Sequence, residues 1–414
     1  MSIFSSAGSI HAYYPEVVNT MPIKTHKVRI YPNAQMRQVL DAGFGYARYC
    51  YNQGLELWNV MYESFVLTGN LKFKPNGNKI RDILVNEKED WQFSFSARIL
   101  QTAILNLKKA WQNFFNPNMI HSKRPTFKSK RHKRQSFTTD RAKVVNSKYL
   151  KLDKPLGQNY DLIKMAEPLR FTGDIKTATI TKRGERYFAS IAVQVADQPV
   201  PQFVESFDIQ AVDMNIGHFN ANAMSLTTIT TRILHLHSKI KHYNRQLARK
   251  RKVNPRNYWS HQYAKTKCRL NKAYLDIVNL QQDMLQKFTH SLLADCQTIC
   301  VEDLNVNAMK MNKKLAKNLH RGLFGRARRI IEYHANWNHQ LFIKADRFYP
   351  STQHCSLCGF IKTREATGGK QTLSGDSINQ KHQLYHCFNC GANLDRDKNA
   401  VDNLIAYAAG LTAE

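Results

Sequence analysis

Residues 387–400 read CFNCGANLDRDKNA, and residues 355–358 read CSLC. Two CxxC pairs direct four thiolates at one point, which is the ligand arrangement of tetrahedral zinc. Two structural disulfides are the rival interpretation, but the remaining cysteines are scattered and no apolar signal segment opens the chain, so the spacing favours a metal. Cysteine fills all four positions, which predicts a closed, structural zinc site made of Cys355, Cys358, Cys387 and Cys390. We therefore expect any catalytic site to lie outside this cysteine cluster. The carboxylates Asp395 and Asp397 follow the second CxxC pair within a few residues.

The length and charge of the chain narrow its class. With 414 residues it exceeds what one hydrophobic core usually covers, so we expect two to four domains. The formal net charge is +30, and self-repulsion on that scale favours a polyanionic partner, for which nucleic acid is the first candidate. No apolar run approaches the roughly 20 residues of a membrane span, so we expect a soluble intracellular protein with no membrane partner.

Two basic segments are candidates for phosphate binding. Residues 123–134 read KRPTFKSKRHKR and residues 245–256 read RQLARKRKVNPR. A solvated charged face explains either segment alone, but two of them on so basic a chain favour nucleic-acid binding. Such charge supplies affinity and not sequence specificity. The candidate residues are Lys123, Arg124, Lys128, Lys130, Arg131, Lys133, Arg134, Arg249, Lys250, Arg251 and Lys252.

Periodicity in the first half of the chain predicts a strand, then helices, then a small sheet. Residues 1–22 lack any period and read as a poorly ordered extension. The run KTHKVRIYPN from Lys24 alternates like a strand, and helical spacing follows over residues 34–60, 80–84 and 95–115. Short β-rich segments recur between residues 148 and 195, which predicts an antiparallel sheet or barrel completed by the first strand.

A new domain is expected to start near Glu205. FDIQAVDM (207–214) reads as a strand, and further strands are predicted from Ala221 onward and over residues 233–236. A long helical pattern covers residues 258–293. It precedes TICVEDL (298–304), a short apolar strand with Glu302 at its C-terminal end.

Three carboxylates occupy positions that can meet at one edge of a sheet. Asp213 and Glu302 end apolar strands, and Asp397 precedes a predicted helix. Converging carboxylates repel unless cations neutralise them, and hard oxygen ligands suit Mg²⁺ or Mn²⁺, which support phosphodiester cleavage. Each acid alone has an ordinary explanation as a turn residue, a partner of a basic side chain or a helix cap. Only their order around the paired cysteines favours a shared site.

These motifs resemble those of a known family. FDIQAVDMNIG, ICVEDLNV, FYPSTQHCSLCG, the second CxxC pair and DRDKNAVDNL are similar to the TnpB proteins, transposon-encoded relatives of the type V CRISPR effectors and of the eukaryotic Fanzor proteins. KVRIYPNAQMRQVL and RPTFKSKRHKRQSF extend the resemblance upstream, so that it covers nearly everything from Lys24 to Leu404. The C-terminal block is highly specific, whereas the N-terminal motifs alone are weak.

The resemblance implies a multidomain α/β plus β architecture. It consists of an RNase H-like RuvC nuclease domain with an inserted zinc-binding element, preceded by a wedge-type β-barrel that carries a helical recognition insertion. The implied domains are a flexible extension at 1–22, the wedge-like β-barrel at 23–35 and 136–204, the helical recognition domain with its basic linker at 36–135, the RuvC-like domain at 205–345 and 393–414, and the zinc-binding target-nucleic-acid-binding element at 346–392.

The implied function is RNA-guided cleavage of DNA. A guide RNA would pair with one strand of double-stranded target DNA next to a short flanking motif, in a complex of one protein per RNA, in the cytoplasm of a prokaryote and associated with its nucleoid. Asp213, Glu302 and Asp397 carry over as the Mg²⁺ or Mn²⁺ ligands. Asp397 is preferred because Asp397-Lys398-Asn399-Ala400 matches the Asp-x-Asn-Ala pattern of the relatives, and Asp395 is the fallback.

Two departures from the family pattern, and two other functions, stay open on the sequence. The first acid commonly sits in Gly-x-Asp-x-Gly, whereas here Ala211 and Asn215 flank Asp213 and Gly217 is displaced, so metal geometry or rate can differ. The linker between the knuckles, 359–386, is long and turn-rich. A nuclease-inactive RNA-guided DNA-binding repressor is the first alternative function, although all three acids are present. A DNA transposase with an RNase H-like core is the second.

Overall fold

The computed structural model describes residues 22–119, 122–130, 134–153, 162–196, 208–222, 224–256, 258–294, 296–309, 311, 323–363 and 383–412. The predicted N-terminal extension lies outside these residues except for Pro22. The chain forms two compact units, an N-terminal unit spanning Asn19–Gln198 and a C-terminal unit that contains Pro199–Glu414.

A seven-stranded sheet forms most of the N-terminal unit. Its spatial order is β2-β6-β7-β1-β5-β4-β3, and all neighbouring pairs are antiparallel. The expected pairing of the first strand with later ones is confirmed, because β1 lies between β5 and β7. No pairing among the described residues joins β2 to β3, so closure into a wedge-type barrel stays a prediction. The strands are β1 Ile23–Tyr31, β2 Arg134–Thr139, β3 Lys143–Val145, β4 Tyr149–Lys151, β5 Leu162–Met165, β6 Asp174–Arg183 and β7 Arg186–Gln194.

Three helices lie between β1 and β2 in sequence, as the periodicity predicted. They are α1 Ala34–Thr68, α2 Gly77–Asn86 and α3 Ala97–Phe115. Asn33 begins α1 by accepting the Met36 N–H at 2.7 Å, and Gly69 ends it in the left-handed conformation, with φ of 64°. Trp58 of α1 stacks on Trp111 of α3 with ring centroids 5.7 Å apart. Apolar side chains of these helices and of the sheet form one continuous core.

A five-stranded mixed sheet organises the C-terminal unit. Its order is β10-β9-β8-β11-β12; β8, β9 and β10 are antiparallel, whereas β11 and β12 run parallel to β8. This order and these directions are those of the RNase H-like fold. The strands are β8 Ile209–Met214, β9 His218–Ala221, β10 Ser225–Thr227, β11 Thr298–Glu302 and β12 Leu341–Ala345.

The strand predicted from Ala221 onward is present as β10, but it starts at Ser225, and Ala221 itself ends β9. The third strand predicted for this unit is wrong, because residues 233–236 belong to a helix. Thr230 caps that helix by accepting the Ile233 N–H, and Ile233, Ile240 and Leu247 recur along one buried face. A window of four residues was too short to separate a helical period from a strand.

Within the described residues of the C-terminal unit, the helices are α4 Thr231–Val253, α5 His261–Leu292, α6 Val306–Met309, α7 Phe324–Trp337 and α8 Arg396–Thr412. The long helix predicted over residues 258–293 is confirmed as α5. Helix α8 packs against β8, β9, β11 and β12, and Ala211, Cys300 and Leu404 meet in the core between them. A separate two-stranded hairpin, β13 Leu384–His386 with β14 Asn393–Asp395, immediately precedes α8. No helix in the described ranges is long and apolar enough to cross a membrane.

Candidate carboxylate and cysteine sites

The sheet of the C-terminal unit brings two of the predicted acids to one edge. β8 and β11 are parallel neighbours with Val212 opposite Val301, so Asp213 and Glu302 both stand at the C-terminal ends of adjacent strands. The Met214 N–H donates to Glu302 Oε2 at 3.4 Å. Asp397 joins them from the first turn of α8.

Asn215 bridges the first and third acids. Its Nδ2 donates to Asp213 Oδ2 at 2.5 Å and to Asp397 Oδ1 at 3.2 Å. Asn215 occupies the position where the family commonly has glycine, so the departure noted in the sequence adds a polar side chain between the carboxylates. Its amide can stabilise their charge as a donor, or offer its Oδ1 to a cation after rotation of the amide.

Burial and mutual repulsion shape the protonation of the two strand acids. Asp213 is 2% exposed. Its pKa is raised well above the ordinary value, first by burial and then by the charges of Glu302 and Asp397, with Arg396 and Asn215 opposing the rise. Burial also raises the pKa of Glu302, although hydrogen bonds from Ser351 and from the Met214 N–H oppose it. The pair therefore favours either a shared proton or a bound cation.

The surroundings of Asp397 lower its pKa, in contrast to those of Asp213 and Glu302. Burial would raise its pKa, but hydrogen bonds and charge from Arg396 and His218 outweigh that effect and lower it. Arg396 Nη2 lies 2.8 Å from Asp397 Oδ1, and His218 Nε2 lies 3.0 Å from Oδ2. Asn220 Nδ2 also donates to Oδ2, at 3.0 Å. Asp397 is thus held as a carboxylate.

Asp395 does not join this cluster. Its Oδ1 accepts the backbone N–H groups of Asp397 and Lys398 at 3.0 and 2.9 Å, which is the geometry of a helix cap at the start of α8. The geometry therefore favours Asp397 over the fallback as the third acid.

Sequence reasoning missed five side chains that contact the acids: Asn215, His218, Asn220, Ser351 and Arg396. His218 and Asn220 alternate along β9, so both point to the face that β9 shares with Asp213. The signal was present in MNIGHFN (214–220), where polar residues alternate next to the first acid. Ser351 carried no comparable signal.

The four knuckle cysteines meet, as their spacing predicted. Their sulfur atoms all lie within 4.8 Å of one another. Cys358 Sγ is 3.5 Å from Cys387 Sγ, and Cys355 Sγ is 3.9 Å from Cys390 Sγ. Both separations far exceed the roughly 2.05 Å of a disulfide and bracket the edge of about 3.8 Å that four sulfurs make around tetrahedral zinc. None of the described cysteines forms a disulfide, and this cluster can hold a metal ion.

Two buried asparagines of α8 connect the knuckle to the carboxylate site. Asn399 accepts the Ser356 N–H at 2.9 Å and donates to the His354 carbonyl at 2.7 Å. Asn403 donates to the carbonyls of Ser351 and His354, both at 2.7 Å. The Ser351 hydroxyl in turn donates to Glu302 Oε1 at 2.9 Å. The loop that carries Cys355 is therefore bonded both to the helix of Asp397 and to Glu302.

The basic residues of segment 123–134 divide into two groups. Arg124 donates to Asn59 Oδ1 at 3.1 Å and lies over the Trp111 ring, and the Lys128 ammonium lies 3.5 Å from the Tyr51 ring centroid, where burial lowers its pKa to about 8. Both therefore also pack against the helices of their own unit. Lys123 and Lys130 are exposed, as are Arg124 and Lys128 despite their contacts with the helices. Arg131 and Lys133 lie outside the described residues, and Arg134 is described only as the backbone start of β2.

The second basic segment ends α4. Lys250 Nζ donates to the Gln262 carbonyl at 2.8 Å, and Arg251 Nε donates to the Tyr263 hydroxyl at 2.9 Å, so both join α4 to α5. Arg249 and Lys252 are exposed beside them. They are the members of this segment best placed to meet a polyanion.

The fold and these two clusters define a protein with an RNase H-like α/β unit that carries a trio of acids and a four-cysteine element. Family models match three segments: a "Cas12f1-like, TNB domain" over residues 324–404, a "Helix-turn-helix domain" over residues 21–65 and a "Probable transposase" over residues 190–313. The chain is similar to the TnpB proteins, in agreement with the resemblance of its sequence motifs. In this chain, residues 21–65 contain strand β1 and most of the single helix α1.

Two curated relatives span most of the chain. A "Putative RNA-guided DNA endonuclease" of Streptomyces pristinaespiralis is 26% identical over 402 residues, which cover 94% of this chain and 90% of the relative. "Putative RNA-guided DNA endonuclease InsQ" of Escherichia coli (strain K12) is 22% identical over 359 residues, 81% of this chain and 83% of the relative. Among solved structures, a Cas12f1–sgRNA–target DNA complex contains a similar fold, with a TM-score of 0.50 at 10% identity, covering 92% of this chain and 98% of that one.

Proposed function

We propose that this protein is an RNA-guided DNA endonuclease of a transposable element, cleaving DNA complementary to its bound RNA beside a short flanking motif. The observation that supports it is the convergence of Asp213, Glu302 and Asp397 at one edge of an RNase H-like sheet, in a chain whose family relatives are named RNA-guided DNA endonucleases. The same relatives do not favour the transposase alternative, and the presence of all three acids does not favour the nuclease-inactive repressor.

The donor set of the carboxylate site fits Mg²⁺ or Mn²⁺. Three carboxylates with hard oxygens converge, and the raised pKa of Asp213 and of Glu302 marks a site where negative charge is under-compensated by the protein alone. Such ions supply activation of water and stabilisation of the leaving oxygen in phosphodiester hydrolysis. Asp213, Glu302 and Asp397 would hold them.

The surrounding side chains have separate tasks in this proposal. Ser351 orients Glu302 through its 2.9 Å hydrogen bond, while His218, Asn220 and Arg396 keep Asp397 ionised and fix its rotamer. Asn215 donates to both Asp213 and Asp397 and so fixes the position of one carboxylate relative to the other. These contacts hold the ligands in place before substrate arrives, which lowers the cost of reorganisation during reaction.

The cysteine cluster fits structural zinc, because it offers four thiolates and its positions are filled entirely by cysteine. Zinc there would fold the hairpin β13–β14 and the loop that begins at Ser351. We assign the zinc-binding element, residues 346–392, to contacts with target nucleic acid. The N-terminal sheet would be the wedge domain that the resemblance implies, and α1 to α3 would recognise the RNA–DNA duplex. Arg249 and Lys252, with Lys123 and Lys130, would supply phosphate contacts. The protein would act in the prokaryotic cytoplasm near the nucleoid.

The deciding experiment is to express the protein with its native flanking DNA, purify it through high salt and sequence the retained nucleic acid. We expect a discrete RNA whose end lies beyond the gene, and Mg²⁺-dependent cutting of DNA that matches this end. Asp213→Ala should retain the RNA and lose the cutting. Retention of RNA with no cutting by the wild type would support the repressor; absence of any specific RNA would overturn RNA guidance.

A further inference from the structure

A cavity of about 340 Å³ opens beside the carboxylate site in the C-terminal unit. Met214 and Glu302 are among its lining residues, which places the cavity against the carboxylate site. Its other lining residues come from the loop after β11, the first residue of α6, the start of α7 and the loop after β12: Asp303, Leu304, Asn305, Val306, Phe324, Gly325, Arg328 and Arg347. None of these residues is assigned a part in metal binding, apart from Glu302. The cavity is of the size of small-molecule sites and could admit a nucleotide.

Two guanidinium groups line the cavity and share one carboxylate. Arg328 Nη1 pairs with Asp303 Oδ1, and Arg347 Nη2 donates to Asp303 Oδ2 at 2.9 Å. Each oxygen of Asp303 thus holds one arginine. A guanidinium has five N–H donors, so both arginines keep donors for a further anion, and their shared partner neutralises only one of the two charges.

The first turn of α7 adds a second anion-binding feature. Phe324 and Gly325 begin this 14-residue helix and line the cavity. The helix has no acidic residue in its first turn, and no side chain caps it within the part of the chain that the structure describes. Its first N–H groups and the positive end of its dipole therefore favour an anion in the cavity that the two arginines also line.

We propose that this cavity is the subsite for a phosphodiester of the DNA strand being cut, adjacent to the scissile phosphate. This inference rests on the proposed nuclease function, and it identifies where the nuclease binds the strand that it cuts. Arg328 and Arg347 bind the phosphate from the side, the α7 amides bind it from the end, and Asp303 is a positioning residue that fixes both guanidiniums. Glu302 also lines the cavity, so a strand seated here presents its next phosphate to the carboxylates.

Neutral backbone substitutions test this assignment in the assembled RNA–protein complex. A single methylphosphonate is placed in turn at each linkage around the cut site, and single-turnover cleavage is measured. In the wild type we expect one linkage at which loss of charge slows cutting by about 10-fold to 100-fold, as for a lost charge-assisted hydrogen bond. Arg328→Gln and Arg347→Gln should cleave unmodified DNA more slowly than the wild type does. Because the contact is already lost in these variants, a methylphosphonate at that linkage should slow them by at most a further factor of about 2. If the methylphosphonate slows the variants as much as it slows the wild type, the two effects are independent and the proposal is overturned.

Two further variants separate phosphate binding from folding. A Cβ at Gly325 meets no described atom within 4 Å, so Gly325→Val is compatible with the fold but covers the α7 amides. It should slow cutting without lowering the unfolding temperature. Lys287→Gln removes one charge from an exposed pair with Asp283 on α5 and should behave as the wild type at every linkage. Slowing by Lys287→Gln equal to that of Arg328→Gln would reduce the effect to bulk charge and overturn the subsite.

A binding measurement decides the assignment without cleavage. In the Asp213→Ala complex, a fluorescent 5′-phosphorylated trithymidylate is titrated and its anisotropy recorded. We expect Arg328→Gln and Gly325→Val to weaken binding about 10-fold, with Lys287→Gln unchanged. Equal binding by all variants, or displacement by inorganic phosphate as effective as by unlabelled trinucleotide, would overturn a strand subsite. Failure of the wild type to cut any matched DNA would instead count against the nuclease function, and the anisotropy would still decide the cavity.

Discussion

The cysteine cluster and the carboxylate cluster lie in the same unit but are built in opposite ways. Each CxxC pair is made by one short turn, and the four sulfurs form a site in which a metal ion would hold two loops together. The carboxylates come from β8, β11 and α8, and without a cation their burial and repulsion oppose folding. One site therefore supports the fold, whereas the other requires a fold stable enough to tolerate it.

Removing the first carboxylate should give the largest effect and should separate activity from stability. We expect Asp213→Ala to reduce cleavage by at least about 10³-fold, because it removes a ligand that two other acids cannot replace. The same change should raise the unfolding temperature measured without Mg²⁺, since it removes a buried and repelled charge.

Asp208→Ala is the matched control for that variant. Asp208 is exposed just before β8, in the same strand region as Asp213. It should cut and unfold like the wild type. Cutting retained by Asp213→Ala, or a lower unfolding temperature, would contradict the contrast between the two sites.

Removing a cysteine should have the reverse signature. Cys387→Ser should lose the metal of the knuckle and reduce the free energy of unfolding of this element by several kcal/mol, since structural zinc contributes about 10 kcal/mol in small zinc-binding peptides. Elemental analysis and thermal unfolding measure the two effects. Cys268→Ser, at an exposed position of α5, should change neither. A full complement of zinc in Cys387→Ser would disprove the four-thiolate site.

The cysteine site could be predicted from the sequence more completely than the carboxylate site. Local spacing placed all four cysteines correctly because each pair is confined to one turn. Asp213 and Glu302 were identifiable as strand ends, but only the pairing of β8 with β11 shows that they adjoin. Nothing local distinguished Asp395 from Asp397, since the difference is that one caps α8 and the other faces the sheet. The family pattern made that choice.

The same limits explain the errors in the fold. Long helices such as α5 repeat their apolar period many times, so they were predicted well. Residues 233–236 span about one turn of α4, and over that length a helix and a strand give the same apolar pattern. The contacts of Ser351 and Asn403 were beyond reach, because they depend on a loop and a helix that meet only in the folded chain.

Asn403 offers a way to ask whether the two sites depend on each other. It is 2% exposed and satisfies two carbonyl groups of the loop that leads to Cys355. Asn403→Ala should cost about 1 to 3 kcal/mol in unfolding free energy, because the Ser351 carbonyl loses this donor, whereas Asn399 still donates to the His354 carbonyl. It should also slow cleavage about 10-fold by releasing Ser351 from its position at Glu302.

Calorimetric titration with Mn²⁺ measures that coupling directly. We expect weaker Mn²⁺ binding in Asn403→Ala, and unchanged binding in Asp402→Ala, the neighbouring position on α8. Loss of stability with undiminished Mn²⁺ affinity would show that the hydrogen bonds serve the fold alone and that the two sites are independent.

The smallest expected effect is the contribution of Asp213 to the dependence of stability on pH. Because the folded pKa of Asp213 is raised, the folded protein keeps a proton that the unfolded chain, with a pKa near 3.9, has already released. The wild type without Mg²⁺ or Mn²⁺ should therefore lose stability as pH rises from about 4 through the raised pKa of Asp213. The slope should be about 1.4 kcal/mol per pH unit between the two pKa values, and stability should level off above the higher one.

The Asp213→Asn variant has no carboxyl group at this position, so its stability should lack this component of the pH dependence. The wild type saturated with Mg²⁺ should lack it as well. Denaturant unfolding at a series of pH values, without chelator so that the cysteine-bound metal is retained, measures the difference. Parallel curves for wild type and Asp213→Asn would mean that Asp213 titrates normally, and the carboxylate site would then oppose folding no more than the cysteine site does.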